Sequence, residues 1–139
     1  MNAYKFTITE TEPVPLIRDF QSFLDQVEVN EPHLTPKGYI SGRDLLQMNQ
    51  RMTQPLDGTT VRTGQEFYPQ LHLFFHLAQA GRLIQKDSGK GNKTLLQLSN
   101  RAKDYCKLTA TERYFFLLET LWVDTKWKHI ESSIFKGWS

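Results

Sequence analysis

An apolar stretch followed at once by two short strand-like runs is the feature that most constrains this fold. Residues 67–80 carry apolar side chains on nearly every side, which is typical of a helix covered by several neighbours. Gly81 predicts the end of that helix as a left-handed cap. Residues 82–86 and 94–98 flank a glycine-rich polar tip, which predicts a β-hairpin. The sequence therefore predicts a buried helix that leads directly into a hairpin.

An amphipathic helix is predicted nearer the start of the chain. Apolar residues between Leu16 and Val29 recur at spacings of three and four, so they form one stripe along a helix. Pro32 ends this helix, because proline has no N–H to donate and clashes with the preceding turn. Residues 37–41, with a β-branched and an aromatic member, then predict one short strand.

A second helix is predicted to begin at Ser41. With Asp44 three residues later, the sequence is typical of a helix start in which the serine oxygen accepts a backbone N–H. This helix is expected to end near Thr53. Residues 54–66 are polar and contain glycine and proline, which predicts a loop that is unusually long for a compact domain.

Two more helices are predicted after the hairpin. Ser99 is placed to cap a helix that runs through Lys107. Thr109 and Glu112 have the spacing of a capping box. They are expected to open a long aromatic helix that includes Trp122.

The chain has the size of one ordinary domain, so we expect a single domain over residues 1–139. The apolar residues 134–139 leave open that this domain is the N-terminal part of a longer protein. Cys106 is the only cysteine, which excludes an intrachain disulfide and favours a reducing cytosol. No uncharged apolar stretch approaches the roughly 18 residues of a membrane span, and no signal peptide is evident. The sequence therefore predicts a soluble, cytoplasmic protein with no membrane partner.

The predicted elements follow the order of a winged helix-turn-helix: helix, short strand, helix, helix, hairpin. The run Tyr68-Pro69-Gln70-Leu71-His72, followed by residues 77–84 and a hairpin, resembles winged-helix-like segments of uncharacterised bacterial proteins. Residues 34–40 are similar to the stretch that precedes the second helix of those segments. The resemblance covers roughly residues 34–122 and implies a fold without an established activity. We therefore expect a mainly α, winged-helix-like domain with a three-helix core, a small β-hairpin wing and extra C-terminal helices.

Positive charge is concentrated in one short segment. The whole chain has a net charge of +2, whereas residues 82–107 carry seven basic and two acidic side chains. Lys86, Lys90 and Lys93 lie on or beside the predicted hairpin tip, where lysines can bind phosphates. Lysines that only keep a solvated turn soluble would give the same pattern. Both interpretations stay open.

The third predicted helix argues against the reading of DNA bases. A recognition helix presents Arg, Lys, Asn or Gln to base edges. Residues 67–81 contain neither Arg nor Lys, and the long loop before them replaces the short turn of a standard helix-turn-helix. The alternative function is therefore a DNA-binding transcriptional regulator that holds phosphates through Arg43, Arg51 and the hairpin lysines, weakly and without sequence specificity.

No catalytic or metal site is predicted. His72 and His76 have a metal-ligand spacing on a helix, but no third ligand is near in sequence. A partly buried, hydrogen-bonded pair is the preferred interpretation. No Ser-His-Asp set, paired-carboxylate pattern or phosphate loop stands out, so we expect neither enzymatic activity nor a cofactor.

The C-terminal third holds more aromatic and β-branched side chains than one small core obviously needs. Most of these side chains are expected to pack on the third helix and close the core, and the surplus favours a protein-binding patch or a seam between two copies of the chain. The first expected function is therefore a non-enzymatic module for protein interaction or dimerisation. Its predicted surface consists of Trp122, Trp127, Ile130, Ile134 and Trp138.

Overall fold

Five α-helices and one two-stranded antiparallel sheet form most of the structure, a computed structural model that describes residues 15–88 and 93–121. A mainly helical fold with one hairpin is therefore confirmed. The elements in chain order are α1 (Leu16–Asn30), α2 (Gly42–Gln50), a 3-10 turn (Gln65–Phe67), α3 (Pro69–Ala80), β1 (Ile84–Ser88), β2 (Thr94–Leu98), α4 (Asn100–Cys106) and α5 (Ala110–Glu119).

The core forms where the apolar stripe of α1 packs against α3 and α4. Phe20 lies edge-on to Phe74, with ring centroids 5.3 Å apart, and edge-on to Tyr105 at 5.6 Å. All three rings are buried, and so is Leu77 of α3. Burial of each such side chain stabilises the fold by about 1.5–3 kcal/mol. The predicted stripe of α1 and the predicted burial of α3 are both confirmed.

Helix α3 begins later than the apolar pattern predicts. It starts at Pro69, and Phe67 lies in the preceding 3-10 turn with 70% of its surface exposed. Proline suits the first position of a helix, since the N–H that it lacks would have no partner there. Proline also disfavours helical geometry in the residue before it, and Tyr68 accordingly has φ −110° and ψ 86°.

The predicted left-handed cap at Gly81 is wrong. Gly81 has φ −78°, in the right-handed region, and Arg82 takes the left-handed conformation with φ 60°. The glycine serves close packing instead, because a Cβ at this position would lie 3.1 Å from Cζ of Phe116 on α5. The turn around Arg82 is held by the Ser99 hydroxyl, which donates to the Arg82 carbonyl oxygen.

The hairpin pairs β1 with β2 in antiparallel register, from Ile84 opposite Leu98 to Ser88 opposite Thr94. A third segment, residues 32–34, lies along the other edge of β2. Leu34 N–H donates to the Thr94 carbonyl oxygen at 2.9 Å. Leu96 N–H donates to the carbonyl oxygen of Pro32 at 2.8 Å.

The predicted strand over residues 37–41 is wrong in its bounds. Within that stretch only Ile40 makes a bridge, to Leu34. Gly38 has φ 85° and reverses the chain, so Thr35 N–H donates to the Tyr39 carbonyl oxygen at 2.7 Å. The residues that reach the sheet are therefore those before the turn.

The three predicted helix starts differ in outcome. The predicted Ser99 cap of α4 is wrong, because the Ser99 hydroxyl donates to the Arg82 carbonyl oxygen and accepts no backbone N–H of the helix. The Ser41 side chain accepts no backbone hydrogen bond and instead donates to Oδ2 of Asp44 at 2.6 Å, and α2 ends at Gln50, before the predicted Thr53. The capping box of α5 is confirmed, because Thr109 Oγ1 accepts from Glu112 N–H and Glu112 Oε1 accepts from Thr109 N–H. The hydrogen bond from Thr109 N–H to the Glu112 carboxylate, with a smaller contribution from the Thr109 side chain, lowers the pKa of Glu112, since it favours the charged form.

The long loop between α2 and α3 is anchored along its length. The buried Asn49 side chain donates to the Leu56 carbonyl oxygen at 2.8 Å and accepts from Leu56 N–H at 2.9 Å. Gln65, also buried, accepts from Ile40 N–H at 2.9 Å, and its amide nitrogen lies 3.0 Å from Nδ1 of His72. Asn49 thus satisfies two backbone groups of the loop, and Gln65 ties the end of the loop to Ile40 and to α3.

Candidate functional site

Helix α3 presents little polar surface to solvent. Six of its residues are buried, on more than one side of the helix: Leu71, His72, Phe74, Phe75, Leu77 and Ala78. Gln79 is its one fully exposed residue, and the helix contains no Arg or Lys. The anchored loop covers part of the helix through Gln65, which contacts His72. Gln79 is therefore the one exposed side chain on this helix of the kinds with which a recognition helix reads bases.

The two histidines of α3 belong to an aromatic cluster. The His72 and His76 rings lie edge-on with centroids 4.5 Å apart, and Tyr39 packs against both at 5.3 and 6.2 Å. His72 is buried. Within residues 15–88 and 93–121, no group of three or more His, Cys, Asp or Glu side chains is arranged to hold a metal ion.

The basic residues predicted to contact phosphates do not share one surface. Lys86 is exposed on β1, and its Nζ lies 3.3 Å from the Cβ position of Gly38 in the turn before α2. Arg43 is exposed in the first turn of α2 and Lys93 just before β2, while Lys90 lies outside the described residues. Arg51, at the other end of α2, lines a groove along α1 to which the hairpin contributes no residue. The structure thus separates Arg51 from the hairpin lysines.

This groove, called the α1–α2 groove below, has a volume of about 370 Å³. Its walls carry two arginines, Arg18 and Arg51, and the polar side chains of Ser22, Asp25, Gln26 and Asn30. Gln26 is only 6% exposed. Its amide nitrogen donates to the Ser22 carbonyl oxygen and to the Ser22 hydroxyl, each at 3.3 Å. Among the described residues its Oε1 has no hydrogen-bond partner.

A second groove, of about 400 Å³, is mostly apolar and surrounds Asp19. Asp19 is 1% exposed, and its carboxylate is fully engaged. Oδ1 accepts from Thr53 N–H at 3.0 Å, from the Thr53 hydroxyl at 2.7 Å and from Arg18 at 3.2 Å. Oδ2 accepts from Gln70 at 3.1 Å. The carboxylate therefore ties α1 to the end of α2 and to α3 and has no obvious capacity left for a ligand.

The outer face of α5 exposes two large apolar side chains among the polar Thr111, Glu112 and Glu119. Phe115 is 57% exposed and Leu118, one turn further, is 41% exposed. Phe116 and Leu117 point the other way: the Phe116 ring lies 5.6 Å from that of Tyr105, and Leu117 is buried. The interaction surface predicted from sequence, from Trp122 to Trp138, lies outside the described residues.

The sequence analysis did not identify Asp19 or Gln26 as residues of these grooves. Asp19 and Gln26 lie on α1 beside its apolar stripe, at three- and four-residue spacings from Phe23. A residue three or four positions from a core residue lies on the same, buried face of a helix. A polar side chain at such a position is the one sequence signal that could have identified Asp19 and Gln26. Arg18 was missed as well, because nothing in the local sequence relates it to Arg51.

Comparison with models of protein families, with curated proteins and with solved structures found no match. The resemblance to winged-helix-like segments therefore stays a prediction. In the part of the chain that the structure describes, every helix is too short or too polar to cross a membrane. Any proposal about function therefore depends on the two grooves, the basic residues and the outer face of α5.

Proposed function

We propose that this chain is a non-enzymatic protein-binding module with a winged-helix-like fold, and that it associates with a second copy of itself. The order of α1, residues 32–34, α2, α3 and the hairpin supports the fold. The backbone hydrogen bonds between residues 32–34 and β2 add a third, strand-like segment beside the two strands, as a winged helix requires. The hairpin then takes the place of the wing.

The exposed apolar face of α5 carries this proposal. Phe115 and Leu118 lie one turn apart, so they form one patch that water covers in the isolated chain. Aromatic side chains are enriched at protein interfaces, where they bury large areas at little cost in conformational entropy. In the sequence, the residues after this helix include Trp122, Trp127 and Trp138, which add apolar side chains. A self-complementary seam would cover both.

Sedimentation of the full chain tests the proposal. We expect a dimer at micromolar concentrations and a dissociation constant at least about tenfold weaker for Phe115→Asp or Leu118→Asp, since a charge in an apolar seam stays unpaired. Phe67→Asp is the matched control, because Phe67 is an exposed phenylalanine far from α5 in sequence, and it should leave the dimer intact. A wild-type chain that stays monomeric at high concentration, or equal weakening by Phe67→Asp, would contradict the proposal.

A second candidate function is weak binding to the phosphates of nucleic acid. Its support is the position of Lys86, whose ammonium group reaches the turn that carries Lys37, shortly before Arg43. This arrangement gathers positive charge from the hairpin and from the turn before α2. It offers charge without the side chains that read bases, so binding would be nearly independent of sequence.

Fluorescence polarisation with a labelled DNA duplex tests this second function. With three phosphate contacts, affinity should fall roughly 40-fold between 50 and 200 mM salt. Changing Lys86, Lys90 and Lys93 together to alanine should abolish binding, whereas the control Lys103→Ala with Lys107→Ala, on and beside α4, should weaken it only slightly. Tight binding to one sequence that survives the triple change would exclude this mode.

A further inference from the structure

We propose that the α1–α2 groove binds a small anion that also carries a hydroxyl group, of the sugar-phosphate class. The proposal is independent of self-association, since the groove and the outer face of α5 share no residue. Its volume of about 370 Å³ lies in the range of small-molecule sites. Two independent observations support it: a pair of arginines and a buried acceptor without a donor.

The arginines approach the groove from different elements. Arg18, on α1, is half-exposed, and one of its terminal nitrogens is held by the Thr53 hydroxyl at 2.7 Å and by Asp19 at 3.2 Å. These contacts orient its guanidinium group before any ligand arrives. Arg51 follows the last turn of α2 and makes no side-chain hydrogen bond or ion pair with the described residues. Two guanidinium groups on one groove favour a ligand with a phosphate or carboxylate.

The second observation is the buried acceptor of Gln26. Its amide nitrogen is engaged by Ser22, but its oxygen has no donor within the described ranges, although the side chain is more than nine-tenths buried. A buried acceptor without a donor is costly, so a ligand that donates to it gains more than it would from an exposed group. The last torsion of a glutamine is soft, so Oε1 can reach the groove that Gln26 lines by a rotation that gives up the two 3.3 Å hydrogen bonds of the amide nitrogen to Ser22. A hydroxyl group is the matching donor.

The remaining charges limit the size of the anion. Asp25 also lines the groove, where its Oδ1 accepts from Gln21 at 2.9 Å. The lining of the groove therefore carries two positive and one negative side chain, but Arg18 is already paired with the buried Asp19, and α1 adds Glu28 one turn beyond Asp25. A polyanion such as a nucleic acid would meet more of these carboxylates than a single phosphate group would. Asp25 and Asn30 can accept from further hydroxyl groups of the same ligand.

Nuclear magnetic resonance of the isotope-labelled full chain tests the proposal with three probes: glycerol 3-phosphate, inorganic phosphate and glycerol. Up to about 20 mM, which saturates a millimolar site, glycerol 3-phosphate should shift the backbone signals of α1 and Arg51. Inorganic phosphate should shift the same signals with an affinity about fivefold to tenfold weaker, because it cannot satisfy Gln26 in the same pose. Glycerol alone should leave them unchanged.

Two variants test the roles of Arg51 and of Gln26 separately. Arg51→Gln should abolish the shifts from both anions, while Arg43→Gln, an exposed arginine at the other end of α2, should preserve them. Gln26→Leu removes the acceptor without a donor, so the melting temperature should be unchanged or higher while the affinity for glycerol 3-phosphate falls to that for phosphate. If Gln26→Leu does not fold, Gln26→Met makes the same test.

Three results would overturn the proposal. The first is the absence of shifts with any probe. The second is an equal affinity for phosphate and glycerol 3-phosphate in the wild-type chain, which would remove the role of Gln26. The third is an equal loss of binding in Arg51→Gln and Arg43→Gln, which would mean that only general charge attracts the anion.

Discussion

Replacing Asp19 with alanine is expected to lower the free energy of unfolding by about 3 kcal/mol. The carboxylate, which is 1% exposed, accepts from both donors of Thr53, from Gln70 and from Arg18, and alanine leaves the first three of these partly buried hydrogen bonds without their acceptor. Each loss is costly because water cannot easily replace the missing oxygen. Urea unfolding followed by circular dichroism measures the change, which is large against the 5–15 kcal/mol of a typical domain.

Asp25→Ala is the control for this prediction. Asp25 is exposed on the same helix, so its loss should change the free energy of unfolding by about 0.5 kcal/mol or less. Asp19→Asn should fall between the two, because the remaining oxygen can still serve Thr53 while the new amide nitrogen faces that of Gln70. Equal effects of Asp19→Ala and Asp25→Ala would show that the carboxylate does not tie the three helices together.

Gly42→Ala is expected to destabilise the fold by about 2–3 kcal/mol. A Cβ at position 42 would overlap the carbonyl group of Val61, which is backbone and cannot rotate away as a side chain can. Either α2 or the loop over residues 54–64 must then move. Urea unfolding measures the loss of stability, and limited trypsin digestion should show faster cleavage after the exposed Arg62.

Gly64→Ala is the matched control within the same loop. Gly64 has φ −77°, which any residue adopts, and a Cβ there would meet only Cδ2 of Phe67 at 3.9 Å. Its stability should be unchanged or higher by up to about 1 kcal/mol, since alanine restricts the unfolded chain more than glycine does. Unchanged stability and cleavage in Gly42→Ala would mean that the loop does not rest on α2.

The helices and the hairpin are predictable from the sequence where burial leaves a local periodicity. The stripe of α1 and the apolar surface of α3 are predicted for that reason, and the α5 capping box because both partners lie within four residues. Gly81 was misinterpreted, because the reason for the glycine is Phe116, far along the chain. Local patterns carry no information about such packing.

The grooves were beyond sequence reasoning for a related reason. Asp19 is buried because Thr53 and Gln70, 34 and 51 positions later, bring donors to it. Without that knowledge an aspartate on a surface helix is expected to be solvated. Arg51 was identified as a phosphate contact together with the hairpin lysines, yet the end of α2 faces α1. The charge of Arg51 indicated an anion contact, but only the fold shows which residues lie beside it.

The anchored loop also bears on how a chain of this kind can change over evolutionary time. Asn49 holds Leu56 and Gly42 makes room for Val61, so only the tip around Gly58 lies between the two anchors. A Cβ at Gly58 would have no neighbour within 4 Å. Insertions at this tip would leave both anchors and helix α3 unchanged. We therefore expect the length of the tip to vary between related proteins. The residues that anchor the loop, Asn49, Gly42 and Gln65, should tolerate few substitutions. Related proteins that lack them should also lack the long loop.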